Sequence, residues 1–472
     1  MQRITCRNFW SGEGECLSNV DLLIDSDGLI AGIEKLSSDF IFGFDYEFVM
    51  PSFVDAHTHY SWMIVKEASY DLSGVLTCGE FLSFIKTTVD NSEERIVRFE
   101  SYDESLWDLP ELPGLAELDR VTGNTPVFCR RICGHAAIVN SAMLDMIAGS
   151  VPGVNRQTGL LTEWPVLNFE KLFPFSDKVL LDAVKATEQM VYSKGVTALY
   201  TFEPEHLINL VNTISTDLDL SIGTIVDGLD SFINLSNPPE LIKIFLDGSI
   251  GAGNAAMQYE TDIGESYLHY SDTELYKLLL RCGNSGVPVA AHVIGGNALK
   301  QLDRVSNSVF NTLGHGFTIR VEHAEDLMEA WPGTWNKEFH LFSMQPNFVR
   351  KWQNSGGMYD KVLSVPHSRR LNPFRVVKEA GFCLGFGSDG MPFDPLFGLE
   401  GAINHRDAKF SLSVAEALAA YTIDAASISG FKHLTKPLQI GRVADIVFLS
   451  GNPFTKFSDV TVEATMKKGK FV

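Results

Sequence analysis

The chain has 472 residues, is 45% hydrophobic and carries a formal net charge of −21, which argues against nucleic acid or an anionic membrane surface as a partner. Its seven cysteines (Cys6, Cys16, Cys78, Cys129, Cys133, Cys282 and Cys383) include no C-x-x-C pair, so they read as reduced thiols of a cytoplasmic protein. No apolar run approaches the ~18 residues that a membrane span needs, and the N-terminus lacks the apolar core of a signal peptide.

In chain order, residues 1–50 read as short strands joined by turns. Leu22-Leu-Ile24 and Leu29–Ile33 flank Ser26-Asp-Gly28, and Asp-Gly between two apolar runs is a hairpin signal. The C-terminal segment has the same texture. Ala444–Leu449 and Val460–Val462 are apolar runs, and Lys467-Lys-Gly-Lys470 is a turn. These ends are expected to form one small β-sandwich, from residues 1–50 plus 436–472. The middle alternates strand and helix. Candidate strands are 53–57, 196–200, 220–226, 241–245, 287–291, 318–321, 341–344 and 383–387. Helical patterns such as Thr273–Leu280 and Ala415–Tyr421 lie between them, the second with Ser413 as its cap. The reading is an α/β fold, a (β/α)₈ TIM-like barrel over 51–66 plus 190–435. The roughly 135 residues between the first two strands are too long for an ordinary connection. They are expected to form an insertion, 67–189, acting as a lid, with a strand at Pro126–Ile132 and a helix at Asn140–Met146.

Phe53-Val-Asp-Ala-His57-Thr-His59 is an apolar run ending in two histidines one residue apart. On a strand, residues i and i+2 face the same way, so both imidazoles can aim at one ion. A bare H-x-H is also found on surfaces and loops. Lys243 lies inside the apolar run Leu241–Phe245. It is either a solvent-facing residue of an alternating strand or a buried lysine whose lowered pKa leaves a neutral amine. Such an amine can take up CO₂, and the carbamate would bridge two metals. His292 and His323 each stand at the end of a predicted strand, where barrel enzymes carry catalytic groups. Taken singly, each is slightly more often a structural histidine. Asp389, in Gly387-Ser-Asp-Gly390, would be a turn residue in isolation. With the other five it reads as metal ligand and proton carrier. The set offers nitrogen and oxygen donors without thiolate, which suits a hydrolytic divalent ion such as Zn²⁺.

Several segments together resemble the metal-dependent amidohydrolase superfamily, in its N-substituted formamide deformylase-like branch. They are Pro51–His59, Ile242–Ser249, Ala291-His292, Val321–Glu325, Gly387–Asp389, Arg131–Ser141 and Gly441–Ile446. The resemblance implies metal ligands at His57, His59, Lys243, His292, His323 and Asp389, one or two zinc-like ions, and a carboxylated Lys243. It also implies a substrate-contacting His135, which reads equally well as a residue at a helix start or between domains. Tyr102-Asp103 stands where the branch has Trp-Asp, on the leaving-group side of the pocket, and Ser52 replaces a usual glycine. Gln345, after the seventh strand, is a further pocket candidate. Phe99, Tyr102 and Trp107 could form an apolar substrate wall, although aromatic clusters are more often plain core. The acidic group Glu322, Glu325 and Asp326 reads as supporting the site or solvated.

The expected reaction is hydrolysis of a C–N bond, in an amide or N-substituted formamide, by metal-activated hydroxide with Asp389 as general base and acid. The substrate is a small molecule, and a homodimer is expected by analogy. The rival readings are a mononuclear deaminase of the same superfamily and an inactive scaffold. Such deaminases carry a glutamate three residues after the fifth-strand histidine, where this chain has Gly295.

Overall fold

The computed structural model describes residues 1–37, 43–147, 149–213, 216–259 and 266–472. The chain divides into two compact units, residues 1–60 with 188–472 and residues 61–187. Each has its own sheet and core.

The larger unit holds eight strands: β1 (Phe53–Thr58), β2 (Val196–Pro204), β3 (Asp219–Ile225), β4 (Ile242–Phe245), β5 (Val289–Val293), β6 (Ile319–His323), β7 (His340–Met344) and β8 (Leu384–Phe386). They lie side by side in sequence order, every pair parallel. This is a nearly closed barrel sheet, and each predicted strand has its counterpart in it. β1 and β8 are brought together by Asp55, whose carboxylate accepts the backbone N–H of His57 (3.0 Å) and of Ser388 (3.0 Å). The Asp389 N–H also donates to the His57 carbonyl (2.8 Å). Gly387 allows this approach, since a Cβ there would collide with the His57 backbone nitrogen.

The helices follow local signals. Asp272–Ser285 and Val414–Ala420 both begin with a capping box, Ser271 with Glu274 and Ser413 with Glu416. A serine three residues ahead of a glutamate therefore marked both starts.

Strands from both ends of the chain share a second, seven-stranded sheet. Its order is Lys470–Phe471, Val462–Lys467, Ile446–Leu449, Tyr46–Pro51, Gln2–Phe9, Leu17–Ile24 and Ile30–Lys35. The junction is the antiparallel pairing of Tyr46–Pro51 with Ile446–Leu449. Ile4, Val20, Leu22, Ile446, Phe448 and Met466 form part of its buried core. Gly28, at φ +79°, makes the hairpin turn expected from Asp-Gly, and its missing side chain lets the Lys468 carbonyl approach.

The smaller unit is built on a six-stranded sheet, with Val97–Tyr102 beside Val127–Arg131 and then Ala136–Val139. Phe81, Phe99, Tyr102, Trp107, Leu118 and Cys129 pack into one of its apolar cores. Asn140 caps the helix Ser141–Met146 through its side chain. Among the described residues, no helix is long and apolar enough to cross a membrane.

Candidate metal centre

Six of the sequence candidates converge at the C-terminal ends of the barrel strands. His57 is the fifth residue of β1, and His59 follows its end. Lys243 lies within β4, His292 near the end of β5 and His323 at the end of β6. Asp389 follows β8. His57, His323 and Asp389 each offer a ligand atom, and these atoms lie within 4.8 Å of one another. Asp389 Oδ1 is 3.2 Å from His59 Nε2 and 3.7 Å from His57 Nε2. The His323 ring centroid is 4.8 Å from that of His57 and 4.4 Å from that of His292.

Two left-handed residues make this convergence possible. His323 has φ +71° and Asp389 φ +55°. His and Asp are among the few non-glycine residues that tolerate this region, and such strain gathers at functional sites. At β6 the consequence is direct. Neighbouring residues on a regular strand face opposite ways, yet Glu322 and His323 both reach His57. Glu322 Oε2 is 2.7 Å from His57 Nδ1.

Tautomers follow from what each imidazole meets on its far side, because carbonyls and carboxylates only accept. His57 donates Nδ1–H to Glu322. His59 donates Nδ1–H to the Phe202 carbonyl (2.8 Å), and His292 donates Nε2–H to the Gly248 carbonyl (3.0 Å). The free lone pairs are therefore on His57 Nε2, His59 Nε2 and His292 Nδ1.

Lys243 is 1% exposed, and its Nζ has no hydrogen-bond partner. The ammonium instead lies 4.5 Å from the centre of the Phe202 ring. Burial lowers its pKa to about 8, against the opposing pull of Glu322 and Asp389. Burial also lowers His57 to about 4 and His292 to about 3, with the nearby Lys243 charge adding to both. His323 falls well below its usual value, first through burial and then through His292 and His57. Burial would raise Asp389, but His57, His59 and Lys243 hold it below the ordinary carboxylate range. Burial likewise opposes protonation of His59, but Asp389 prevails and raises it. The result at neutral pH is three unprotonated imidazoles, His57, His292 and His323, around an ionised carboxylate that His59 pairs with. His323 Nδ1, like Lys243 Nζ, is buried without a hydrogen-bond partner. Unsatisfied buried polar groups are costly; a divalent cation held by this nitrogen and oxygen set would engage a His323 lone pair, and Lys243 would join it only once its amine has lost a proton.

Gln345 lies with these residues, 1% exposed, just ahead of the helix Pro346–Trp352 and beside His323. The other three candidates belong to the smaller unit. His135 is largely exposed, with Nδ1 3.1 Å from Glu163 Oε2. Asp103 caps the short helix Glu104–Leu106 and lies 3.6 Å from Arg131. Of the two readings of Tyr102, substrate wall or plain core, its surroundings are those of a core residue. It is fully buried in that unit's core, edge-on to Phe81 at 5.7 Å. Phe99 and Tyr102 would face opposite ways on a regular strand. A break in register between them, with Ser101 at φ +71°, turns both into the same core.

Sequence reasoning underweighted Asp55, Arg320 and Glu322, all at most 1% exposed. A charged residue inside an apolar strand is a signal for each. Burial raises Asp55 to about 7, against its hydrogen bonds from Ser388 and His57. Glu322 would also be raised by burial, but Arg320 and His57 hold it well below the usual range.

Comparison with known proteins identifies the family and supports the fold. The chain is 26% identical over 492 aligned residues to the protein LONG AFTER FAR-RED 3 of Arabidopsis thaliana, covering 89% of this chain and 82% of that one. It is 25% identical to the protein YtcJ of Bacillus subtilis (strain 168), covering 86% and 84%. An uncharacterized metal-dependent hydrolase from Pyrococcus furiosus superposes with a TM-score of 0.73 at 21% identity, over 96% of this chain and 100% of that one. That likeness carries the fold. Residues 47–472 match the Amidohydrolase family. Spanning the barrel and every ligand candidate, that match establishes that the chain belongs to the amidohydrolase family.

Proposed function

We propose that this hydrolase cleaves a C–N bond in a small amide or N-substituted formamide, with a Zn²⁺ centre held by His57, His59, Lys243, His292, His323 and Asp389. One observation carries the reading. A buried lysine amine without a hydrogen-bond partner lies among four histidines and an ionised aspartate. A neutral lysine amine can attack CO₂ through its nitrogen lone pair and release one proton. The carbamate oxygens would then replace an unsatisfied nitrogen with two acceptors suited to a hard cation. When bound, a divalent cation supplies Lewis acidity toward a carbonyl and lowers the pKa of a water.

The chain's own residues do the remaining work. Asp389 takes a proton at its carboxylate from the attacking water and hands it to the departing nitrogen. His59, 3.2 Å away, holds that carboxylate in place. The seven free cysteines suit a reducing, cytoplasmic setting. We read the sheet formed by both chain ends as the small β-sandwich domain of the deformylase-like branch.

The test is elemental analysis of the purified full chain, followed by amine release from a panel of N-substituted formamides and simple amides. Stoichiometric zinc and amine release lost in Asp389→Asn support the reading. A zinc-loaded protein that releases no amine from any member of the panel overturns it.

A further inference from the structure

His59 and His292 have their outer nitrogens tied to main-chain carbonyls, whereas His57 depends on a side chain. That side chain belongs to a buried series. Arg320 and Glu322 lie two apart on β6, so they face the same side of the sheet. Arg320 Nε is 2.9 Å from Glu322 Oε1, and Glu322 Oε2 receives His57 Nδ1–H at 2.7 Å. Arg320 Nη2 also donates to the carbonyl of Ala56, the residue before His57 (2.6 Å). The guanidinium lies over the Tyr200 ring at 4.3 Å, which fixes its plane. His57 is thus held from two sides, through the Ala56 carbonyl that precedes it by Arg320 and through its ring by Glu322.

We propose that Arg320 and Glu322 form a positioning pair that commits His57 to its Nδ1–H tautomer and holds its Nε2 lone pair toward Asp389. This rests on the reading of the site as a metal centre. The chemistry favours an acceptor at position 322 beyond its charge. An ionised carboxylate has no proton to give, so the nitrogen facing it must carry one and the opposite nitrogen must not. A carboxylate behind a ligand histidine also makes the ring a stronger donor to a metal, and its loss weakens binding by about 10- to 100-fold. The competing account is that Glu322 merely neutralises the buried Arg320.

Two double variants of the full chain separate these accounts, because both remove both charges. Arg320→Met with Glu322→Leu deletes the acceptor. Arg320→Met with Glu322→Gln keeps an amide oxygen within reach of Nδ1–H. Zinc affinity is read by competition with a chromophoric chelator. Positioning predicts that the leucine double variant binds Zn²⁺ about 10- to 100-fold more weakly than the glutamine one. Equal affinities would overturn it. Selective ¹⁵N-histidine NMR of the metal-free wild-type chain needs no variant. It is expected to show His57 protonated at Nδ1, and protonation at Nε2 would sink the proposal even if the variants fail to fold. A wild type that binds no zinc yet shows His57 Nδ1–H would remove the metal-centre reading and leave the positioning pair standing.

Discussion

Among the described residues, two places in the larger unit gather histidine and carboxylate ligand atoms tightly enough to hold a cation, yet they are built on opposite logic. One contains His57, His323 and Asp389, and the other Asp219, His433 and Asp445. The second lies where β3 begins, and its cation is already part of the chain. Lys467 Nζ bonds to Asp219, lies 3.2 Å from Asp445 and donates to the Thr197 carbonyl at 3.0 Å. The Lys468 N–H closes the other Asp445 oxygen at 2.6 Å, and His433 pairs with Asp219 at 2.8 Å. In the first cluster the corresponding lysine, Lys243, has no hydrogen-bond partner. Donor identity and spacing are therefore a poor guide to a binding site. What separates the two is whether the protein has already satisfied its own donors, as expected of the stabilising N-terminal face of a barrel but not of its reactive C-terminal face.

The largest expected effect is on turnover. Asp389→Asn is expected to lower kcat by about 10²- to 10⁴-fold, the usual worth of a general acid–base group, whereas Asp445→Asn leaves kcat within error of wild type. Steady-state kinetics on any hydrolysed amide checks both, and equal losses would erase the distinction between the clusters.

Stability is expected to respond in the reverse sense. Lys467→Met strands the buried Asp445 and leaves Asp219 with only the exposed Lys468 as a lysine partner, 3.5 Å away, so it is expected to cost about 3–5 kcal/mol, with metal content unchanged. Urea denaturation with elemental analysis reads both quantities. Lys243→Met removes an unsatisfied buried amine and is expected to stabilise the metal-free chain by about 1–3 kcal/mol, while metal content falls. A metal-free Lys243→Met chain that is less stable than wild type would show that this lysine, like Lys467, is a structural group.

The smallest effect concerns pH. Burial would raise Asp219, but Lys467 dominates and lowers it below its ordinary value. The folded state then binds fewer protons than the unfolded state, so the contribution is complete above the unfolded pKa of about 3.9 and is lost as pH falls through the folded value. The stability gap between wild type and Asp219→Asn should hold from neutral pH to about 4 and close below it. A gap that persists in stronger acid would detach Asp219 from the ion-pair account.

Much of the barrel was legible because strand alternation and capping are local. All eight strands stand near their expected positions, and Ser413 caps its helix. β2 runs to Pro204, beyond its expected end at residue 200, because Thr201 and Glu203 interrupt the apolar pattern yet are buried. Glu322 was harder to weigh, since the residue before a ligand should point away from it. The left-handed backbone at His323 reverses that, and no local pattern announces it. For Tyr102 the sequence left wall and core open, and a register break that no local pattern announces puts it in the same core as Phe99.

The amino-acid sequence by itself determined which donors stand at the ends of which strands, because the two-residue period of a strand is written within a few neighbouring positions. It did not determine which lysine is satisfied. Lys243 looked like a residue seeking a partner and Lys467 like an ordinary turn residue. Lys467 is in fact neutralised by Asp219, 248 positions away. Tertiary structure decides such pairings, since hydrogen-bond satisfaction is settled between residues that only the closed fold brings into contact.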